Sequence, residues 1–328
     1  MKLRGIEFEP IFCAAGARGF FGEKYLHQRL MGPLGPNFKN STFVAKTTTL
    51  QANKGNMPMK EDGVTPKEFM PRCILPNFRY GKIALSLKMF REGCMLNAVG
   101  LSGPGAKALF EDGRWQKRNK PFFLSFMSVG KTPKERIDEF EEFVKMFAFY
   151  LPEFNAKVGL QMNESCSNVG LDLDCVVNET KTKLKIASVL GVPLMPKFNI
   201  LTPIKAVREI SQSLDCDAVC ISNTIHWNDL PRVKIDRTKL FGSEISPLGE
   251  FGGGALSGPI LLPLVVDWLT RAEDADILKP INAGGGIFSQ KDLPPLLKLE
   301  VMSTFIGSVA SLRPWRVKKI IRKAHELF

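Results

Sequence analysis

The sequence predicts an α/β fold, a (β/α)₈ or TIM barrel with an active-site excursion over its C-terminal face. From about residue 120, short apolar runs of β character alternate with amphipathic helical segments, which indicates a parallel sheet covered by helices. Polar residues and glycines follow nearly every predicted strand, and such positions all converge on one face when the sheet closes into a barrel. No G-x-G-x-x-G fingerprint follows a first strand, so an open dinucleotide-binding sheet is disfavoured.

The predicted elements alternate in order along the second part of the chain. Strands are expected at residues 122–129, 158–162, 192–198, 218–222, 280–283 and 302–306. A capping box at Thr132-Pro133-Lys134-Glu135, with proline at the first helical position, predicts the start of a helix whose apolar face runs to Phe147. Further helices are expected to end at residues 188–191, to occupy residues 203–214, 259–271 and 294–299, and to close the chain.

Residues 51–82 differ from the rest of the chain. They are rich in Asn, Lys, Met, Pro and Gly and show little periodicity. Long segments of this kind in compact domains are usually functional lids or disordered. We interpret this segment as the excursion over the top of the barrel.

Length and cysteine content bound the class of protein. The 328 residues, 44% of them hydrophobic, are expected to form one domain over residues 1–328, because α/β barrels of this length form a single unit. The seven cysteines include no C-x-x-C pair, and the three histidines have no metal-site spacing. These features argue against a disulfide framework, a structural zinc site and an iron–sulfur cluster, and we expect no bound metal. A reducing, cytoplasmic compartment is therefore expected.

The charge balance favours anionic partners, since 45 Lys and Arg residues against 33 Asp and Glu residues give a formal net charge of +12. The densest basic stretch, residues 316–323, has apolar residues at helical spacing. We interpret it as a surface helix with a solvated cationic face, rather than as a membrane or nucleic-acid contact. The N-terminal residues hold no apolar run of signal-peptide length, and the longest apolar stretch, residues 259–266, is too short to span a bilayer. No integral membrane segment and no nucleic-acid partner are expected.

Glycine turns follow the last two predicted strands. Gly284-Gly285-Gly286-Ile287 follows one strand and Gly307-Ser308 follows the next. In barrels the loops after the last two strands often bind a phosphate through backbone N–H groups, and glycine lets the main chain approach the ligand closely. The pair therefore predicts a phosphate site, with ligand-free tight turns as the alternative.

Two lysines are predicted at strand ends. Lys46, in Lys46-Thr47-Thr48-Thr49, ends an early apolar run beside hydroxyl groups and is placed to meet an anionic or electron-rich ligand. Lys197 lies late in a predicted barrel strand, where a lysine seldom occurs without a partner. The alternative for Lys197 is a side chain that reaches solvent from the strand end.

Amides and one thiol cluster in the predicted loops. Residues 163–168 read Asn-Glu-Ser-Cys-Ser-Asn, and Asn97 and Asn223 add further amides. Asparagine both donates and accepts hydrogen bonds, which suits an amide- or imide-bearing ligand such as a pyrimidine. Cys166 is a candidate base or nucleophile if its pKa is lowered, although a loop cysteine alone is more often inert.

In their order and spacing these motifs resemble the dihydroorotate dehydrogenase family, and the resemblance runs nearly end to end. The matching segments are Ala14-Ala15-Gly16 for the turn beside the flavin, Lys46-Thr47-Thr48-Thr49 with Gly55-Asn56-Met57-Pro58, Asn97-Ala98-Val99-Gly100-Leu101 for the substrate loop, residues 163–168 for the Asn-x-Ser-Cys-Pro-Asn loop, Asn223-Thr224, Gly253-Gly254-Ala255-Leu256-Ser257-Gly258, and the two phosphate-binding turns. Each motif is short, but together they are specific.

The resemblance implies an FMN-dependent oxidoreductase acting on a CH–CH group, which oxidises dihydroorotate to orotate in pyrimidine biosynthesis. In that mechanism a base removes a proton from C5 of the substrate ring while hydride passes from C6 to flavin N5. The soluble class of the family uses cysteine as the base, so the resemblance gives this role to Cys166. It also implies a homodimer and a soluble electron acceptor such as fumarate.

The resemblance further implies a role for each site residue. Lys46 contacts both flavin and substrate, and Lys197 stabilises negative charge on the reduced flavin. The substrate-binding residues are Asn97, Gly100, Leu101, Asn163, Asn168, Asn223 and Thr224. The flavin-binding residues are Ala14, Ala15, Gly16, Lys46, Thr47, Asn163, Lys197, Gly253, Gly254, Gly285, Gly286, Gly307 and Ser308.

The sequence departs from the family pattern around the substrate. Ser167 replaces the proline after the base, and Gly103 stands where an asparagine usually follows Gly-Leu. No arginine follows Gly-Asn-x-Pro at Met59-Lys60, and the turn at Ala255 has one extra residue. Two alternatives therefore stay open: an FMN oxidoreductase of this fold acting on another pyrimidine or enone, and a non-redox phosphate-ligand barrel or a flavin-binding module without catalysis.

Overall fold

The computed structural model describes residues 1–77, 93–164, 173–231 and 234–328. The strands are β1 (Lys2–Leu3), β2 (Ile6–Glu7), β3 (Ile11–Cys13), β4 (Phe43–Val44), β5 (Ile74–Asn77), β6 (Cys94–Asn97), β7 (Phe122–Phe126), β8 (Val158–Asn163), β9 (Leu194–Phe198), β10 (Val219–Ile221), β11 (Ile225–His226), β12 (Ala255–Ser257), β13 (Ile281–Gly284) and β14 (Ser303–Ile306). The α-helices are α1 (Leu26–Leu30), α2 (Ala106–Glu111), α3 (Pro133–Tyr150), α4 (Leu173–Ala187), α5 (Ile204–Ser211), α6 (Arg237–Phe241), α7 (Leu262–Ala272), α8 (Leu293–Leu297), α9 (Val309–Leu312) and α10 (Val317–Leu327).

Eight parallel strands form the barrel, which confirms the predicted fold class. Their order in the sheet is β3-β14-β13-β10-β9-β8-β7-β4. A parallel bridge between Phe12 and Thr42 joins β3 to the residue before β4 and closes the sheet. Two hydrogen bonds support the closure, from the Cys13 N–H to the Thr42 carbonyl (2.8 Å) and from the Thr42 N–H to the Ile11 carbonyl (2.9 Å). Each barrel strand therefore neighbours the next barrel strand along the chain, as repeated β-α units require.

Two groups of buried side chains fill the molecule, because successive residues of a strand point to opposite faces. The barrel interior is filled by one cluster, made of Leu3, Phe8, Phe12, Val44, Phe123, Met195, Ala218, Cys220 and Phe305. The other face of the same strands packs against the helices; Ile11, Leu124 and Ile221, for example, belong to that outer cluster. Both faces of the strands are thus buried, which explains why they read as continuous apolar runs.

Helix α3 begins as the capping box predicts. The Thr132 hydroxyl accepts a hydrogen bond from the Glu135 N–H (3.2 Å), and the Glu135 carboxylate accepts one from the Thr132 N–H (3.3 Å). The apolar face of the helix, including Phe140, Phe143 and Phe147, is fully buried. None of the described helices is long and apolar enough to cross a membrane.

Several elements are shorter than their predicted ranges. The strand predicted at residues 122–129 ends at Phe126, and the helix predicted at residues 203–214 spans Ile204–Ser211. The Ser211 hydroxyl donates to the Arg208 carbonyl (2.6 Å) at the end of that helix. Such side-chain bonds to the main chain compete with helix propagation, which accounts for the early end.

A second, four-stranded antiparallel sheet lies beside the barrel, in the order β11-β12-β6-β5. Residues from all four of its strands border the cavity at the C-terminal end of the barrel; examples are Ile74, Met95, His226 and Ala255. The described part of the excursion predicted at residues 51–82, residues 51–77, therefore lies over this end and also contributes the strand β5, whereas residues 78–82 lie outside the described residues. The sequence pattern did not predict this sheet, because its strands come from distant segments.

Candidate active site

A cavity of about 1010 Å³ lies at the C-terminal ends of the barrel strands. Each of the eight barrel strands contributes wall residues from its C-terminal end or from the loop after it. They are Ala14, Ala15 and Gly16 after β3, Lys46 and Thr47 after β4, Met127 after β7, Asn163 at the end of β8, Lys197 and Asn199 at and after the end of β9, Ser222, Asn223 and Thr224 after β10, Gly285 and Gly286 after β13, and Gly307 and Ser308 after β14. Active sites of barrel enzymes lie at this face.

Lys46 presents a buried ammonium group to the cavity, with only 7% of the residue exposed. Its Nζ donates a hydrogen bond to the Ser102 carbonyl and lies 4.4 Å from the centroid of the Phe20 ring. Burial lowers the pKa of Lys46 to about 8, and the nearby Glu23 carboxylate only partly opposes this shift. A lysine in this state holds its proton loosely at neutral pH and binds an anion or a carbonyl oxygen.

Lys197 is a second buried lysine in the wall, with 6% of the residue exposed. Its Nζ lies 5.2 Å from the centroid of the Phe305 ring, and its neighbour in register on β10 is Cys220. Burial lowers the pKa of Lys197, and the Coulombic influence of Cys220 acts in the opposite direction. The prediction that this lysine faces the site, rather than reaching solvent, agrees with its burial.

The structure brings together two of the predicted amides. The Asn223 amide donates to the Asn163 side-chain oxygen at 2.8 Å, and the Asn223 side-chain oxygen accepts from the Thr224 N–H at 3.0 Å. Asn97 lines the cavity from the second sheet, and its amide donates to the Ala255 carbonyl at 3.2 Å. These fixed amide groups suit a flat, polar ligand with ring N–H and carbonyl groups.

The loop at Gly100 and Leu101 also lines the cavity, and both residues have positive φ angles of 66° and 57°. The Asn56 amide supports this loop by donating to the Ala98 carbonyl at 2.7 Å. Gly103, which replaces an asparagine of the family pattern, faces a phenylalanine. A Cβ atom at Gly103 would lie 2.6 Å from Cζ of Phe20, a fully buried residue, so the glycine is required by this ring.

The predicted phosphate-binding turns form a glycine cradle. Gly285 and Gly286 have φ angles of 106° and 90°, a conformation that favours glycine. A Cβ atom at Gly286 would lie 2.6 Å from the Leu262 backbone nitrogen, so this turn packs directly on the N-terminal end of α7. Gly307 and Ser308 lie in the same wall, just before α9. Because the glycines place main chain at the cavity surface here, these turns can receive a phosphate group.

Four predicted site residues are not among the described residues of the cavity wall. Cys166 and Asn168 lie outside the described residues. Gly253 and Gly254 do not line the cavity: Gly253 lies against His226, and Gly254 lies beside the Asn97 carbonyl. The neighbouring Ala255 and Ser257 on β12 line it instead. The pairing of β12 in the antiparallel sheet determines which residues of this segment face the cavity, and the motif alone does not reveal that pairing.

The sequence predicted the excursion over the outer part of the cavity, but not the contribution of α1 to its wall. Here the wall is formed by α1 and by residues 64–71. The Tyr25 hydroxyl ties the start of α1 to the inner wall by donating to the Gly16 carbonyl (2.6 Å). Leu30 and Met70 are 69% and 64% exposed at the opening. The apolar runs that contain them are too short to be noticed in the sequence. Asn199 and Ser222 in the inner wall were also not predicted, although they follow barrel strands in the same way as the predicted residues.

The part of the chain that the structure describes holds no group of three or more His, Cys, Asp or Glu residues suited to a metal ion. The inner wall offers two buried lysines, an amide pair and a glycine cradle. Such a set binds and orients a phosphate-bearing ring and a polar substrate.

Comparison with known proteins gives one consistent answer at low identity. No family model matches the chain. The chain is 26% identical over 224 residues to the dihydroorotate dehydrogenase B (NAD(+)) catalytic subunit of Archaeoglobus fulgidus, covering 65% of this chain and 66% of that protein. It is 25% identical over 316 residues to the protein of that name from Thermoanaerobacter pseudethanolicus, covering 93% and 85% respectively. With the Cutibacterium acnes protein of the same name it shares 24% over 335 residues, covering 98% and 90%.

A solved structure resembles the whole chain. It is the DHODH of Eimeria tenella in complex with ferulenol, which matches with a TM-score of 0.63 and 16% identity, over 98% of this chain and 82% of that chain. At this identity the likeness shows the fold alone, and it agrees with the eight-stranded barrel described above.

Proposed function

We propose that this chain, a divergent member of the dihydroorotate dehydrogenase family, is an FMN-dependent oxidoreductase that oxidises dihydroorotate to orotate. The observation that carries the proposal is the cavity wall, in which the glycine cradle, both buried lysines and the amide pair come from the C-terminal ends of six barrel strands. Curated relatives named for this activity align over most of the chain, which supports the same substrate.

The residues around the cradle would hold FMN. Gly285, Gly286, Gly307 and Ser308 would bind the phosphate through main-chain N–H groups. Ala14, Ala15, Gly16 and Thr47 would flank the ring system from the first two strands. When bound, FMN supplies the acceptor for a hydride.

The polar residues would bind and orient the substrate. Asn97 and the Asn163–Asn223 pair offer donors and acceptors to its ring amides, and the ammonium of Lys46 offers a positive charge to its carboxylate. Lys197 places a second positive charge beside the ring that receives the electrons, where it stabilises developing negative charge. Cys166 is the proposed base that takes the proton from C5.

An anaerobic absorbance spectrum, taken before and after addition of dihydroorotate, tests the proposal. We expect the purified protein to show the bands of oxidised FMN and to lose them when dihydroorotate is added. A flavin spectrum that stays oxidised would reject dihydroorotate as the substrate. A colourless protein that takes up no FMN would reject the flavin.

Cys166→Ala tests the proposed base. We expect the variant to bind FMN normally, because the phosphate turns are unchanged, and to be reduced by dihydroorotate about 100 to 10,000 times more slowly in a stopped-flow experiment. Lys205→Met on the exposed side of α5 is the matched control and should be reduced at the wild-type rate. A normal rate in Cys166→Ala would remove the thiol from the mechanism.

A second candidate substrate follows from the Phe20–Gly103 contact. At this position an aromatic ring occupies the space beside Gly103 where the family pattern has an amide. Because the amide of the family pattern is missing here, another pyrimidine or an enone is the second candidate substrate. A panel of such compounds in the same spectroscopic assay separates the two candidates.

The remaining assignments belong to the same proposal. We place the reaction in the cytoplasm, in a homodimer of single-domain chains, with a soluble electron acceptor. Fumarate is the first candidate acceptor, and NAD(+), which the names of the relatives contain, is the second. Reoxidation of the reduced protein by each compound, followed by absorbance, distinguishes them.

A further inference from the structure

A buried ion-pair network lies beside the candidate site. It consists of Arg136 on α3, Glu179 and Lys183 on α4, and Glu164 directly after β8, whose side chains are 7%, 8%, 4% and 9% exposed. Arg136 donates two hydrogen bonds to the Glu179 carboxylate, at 2.8 and 2.6 Å. The Lys183 Nζ lies 2.8 Å from Glu179 Oε1 and 3.0 Å from Glu164 Oε2. Two positive and two negative charges therefore balance.

The pKa shifts of the network follow from these pairs. Burial alone would raise the pKa of Glu179, but Arg136 and Lys183 hold it below its ordinary value. Burial alone would lower the pKa of Lys183, but Glu164 and Glu179 hold it above its ordinary value. Glu179 and Lys183 are therefore both charged at neutral pH. Apolar side chains of similar volume would often stabilise a fold equally well, so such a network calls for a role other than stability.

The network connects directly to the cavity wall through Glu164. Its N–H donates to the Lys197 carbonyl at 3.0 Å, which pins the end of β8 to β9. The preceding residue, Asn163, pairs in register with Lys197 and accepts the hydrogen bond from Asn223. The carboxylate of Glu164 is therefore anchored to α4, while its main chain holds the strand end from which Asn163 faces the cavity.

We propose that Glu164 is a positioning residue for the substrate site. Its ion pair with Lys183 fixes the main chain at the end of β8, and through it the orientation of the Asn163 amide. Arg136 and Glu179 hold Lys183 in place from the helix layer. A strand that ends at a loop frays unless it is tied, and catalytic sites need their binding groups held within a fraction of an ångström. The proposal rests on the proposed function where the ligand is dihydroorotate.

Glu164→Gln tests the proposal because it keeps the size of the side chain and removes its charge. With normal FMN content and a normal unfolding temperature, we expect the KM for dihydroorotate to rise about tenfold or more, with a smaller change in kcat. The dissociation constant of orotate, read from the flavin absorbance, should rise by the same factor. Lys181→Met is the matched control, because it breaks an exposed ion pair of α4 with Glu209 (2.7 Å) and should change neither constant.

A second variant covers the case in which Glu164→Gln fails to fold. The double variant Glu164→Gln with Lys183→Met removes one charge of each sign, so that Arg136 and Glu179 remain paired. The same rise in KM is expected from it. A folded variant that binds dihydroorotate and orotate as tightly as the wild type would overturn the proposal.

Hydrogen exchange separates this proposal from the proposed function. If the wild type is not reduced by dihydroorotate, the proposed function fails, and the network is judged by exchange of the amides in residues 158–164 and 194–198. Faster exchange confined to these strand ends in Glu164→Gln, with none in Lys181→Met, would support a positioning role. Unchanged exchange would overturn it.

Discussion

Lys46 and Lys197 place amino groups where burial opposes the charged form. Burial lowers the pKa of both, to about 8 for Lys46. Placing these amino groups in the cavity in their charged form therefore costs free energy. Pairing with an anionic or electron-rich ligand would offset that cost.

The charge state of Lys46 predicts a pH dependence of ligand binding. Below about pH 8 the ammonium is charged and attracts the carboxylate of orotate; above it the neutral amine no longer does. We expect the dissociation constant of orotate to be flat at lower pH and then to rise by up to about tenfold per pH unit. The rise begins near pH 8, the pKa of Lys46 in the free protein, and levels off at the higher pKa of the lysine in the complex, because a bound anion raises that pKa.

Flavin absorbance titrations between pH 6 and 10 measure this effect. Lys46→Met should bind orotate weakly at every pH and lose the dependence, whereas Lys205→Met, which changes an exposed residue, should keep it. A wild-type dissociation constant that is flat across the whole range would contradict the assignment.

Lys197→Met tests the second charge. The variant keeps the length of the side chain but removes the cation from the cavity wall. We expect a more negative flavin reduction potential and a reduction by dihydroorotate that is about 100 times slower, since a cation near developing negative charge stabilises it. A spectroelectrochemical titration measures the potential. A potential equal to that of the wild type would show that the lysine serves another purpose.

At the scale of elements, the cradle depends on close packing of a turn against a helix. Gly286 has a φ angle of 90°, and any Cβ would meet the backbone nitrogen of Leu262 at 2.6 Å. Gly191, at the turn after α4, also has a positive φ angle of 64° but open space around it. Substitutions at these two glycines therefore distinguish the effect of steric contact from the effect of backbone strain.

Gly286→Ala is expected to weaken FMN binding and to lower the free energy of unfolding by more than Gly191→Ala does. For Gly191→Ala the cost is limited to the left-handed conformation, about 1 kcal/mol. The clash at Gly286 adds to that cost because the neighbouring atom is main chain and cannot rotate away. Denaturant unfolding and fluorescence titration with FMN measure both effects. Equal losses in the two variants would contradict tight packing at the cradle.

The second sheet is an element that local patterns could not reveal. Its strands β5, β6, β11 and β12 are two to four residues long and come from three distant parts of the chain. Strands this short contain too few residues for the alternation of side chains between the two faces of a sheet to be visible in the sequence. The sheet becomes apparent only when the strands pair in space. The same pairing moves Gly253 and Gly254 away from the cavity and brings Ala255 and Ser257 to it.

At the scale of the whole molecule, the buried network joins β8, α3 and α4. Its pKa shifts predict how stability depends on pH. The pKa of Glu179 lies below its ordinary value of 4.5, so its stabilisation is present above that pH and is lost as the pH falls through the lower, folded-state value. The corresponding loss for Lys183, whose pKa is raised, occurs only at strongly alkaline pH.

Glu179→Gln is therefore expected to cost about 3 to 5 kcal/mol of unfolding free energy at pH 7, because it leaves Arg136 buried without its carboxylate. The difference from the wild type should shrink as the pH falls below 4.5. Urea unfolding at several pH values measures it, with Glu209→Gln as an exposed control that should stay close to the wild type. A difference that is independent of pH would show that the ionised carboxylate is not the stabilising form.

The sequence by itself determined the barrel, the face that carries the site and most of the wall residues that follow the barrel strands. Strands buried on both sides read as short apolar runs, and the residues that follow them must converge once the sheet closes. Lys46, Lys197, Asn163 and Gly285 were located in this way. These features are local, because each depends on a few consecutive residues and on one rule of parallel sheets.

The tertiary structure alone decided which distant residues meet. The contact of Phe20 with Gly103, the pairing of Asn163 with Asn223, and the ion pair of Glu164 with Lys183 each join separate elements. No periodicity announces such contacts, because a charged or aromatic side chain looks the same in sequence whether it is solvated or buried. Their partners are fixed only when the helices and strands pack, and packing depends on the whole chain at once.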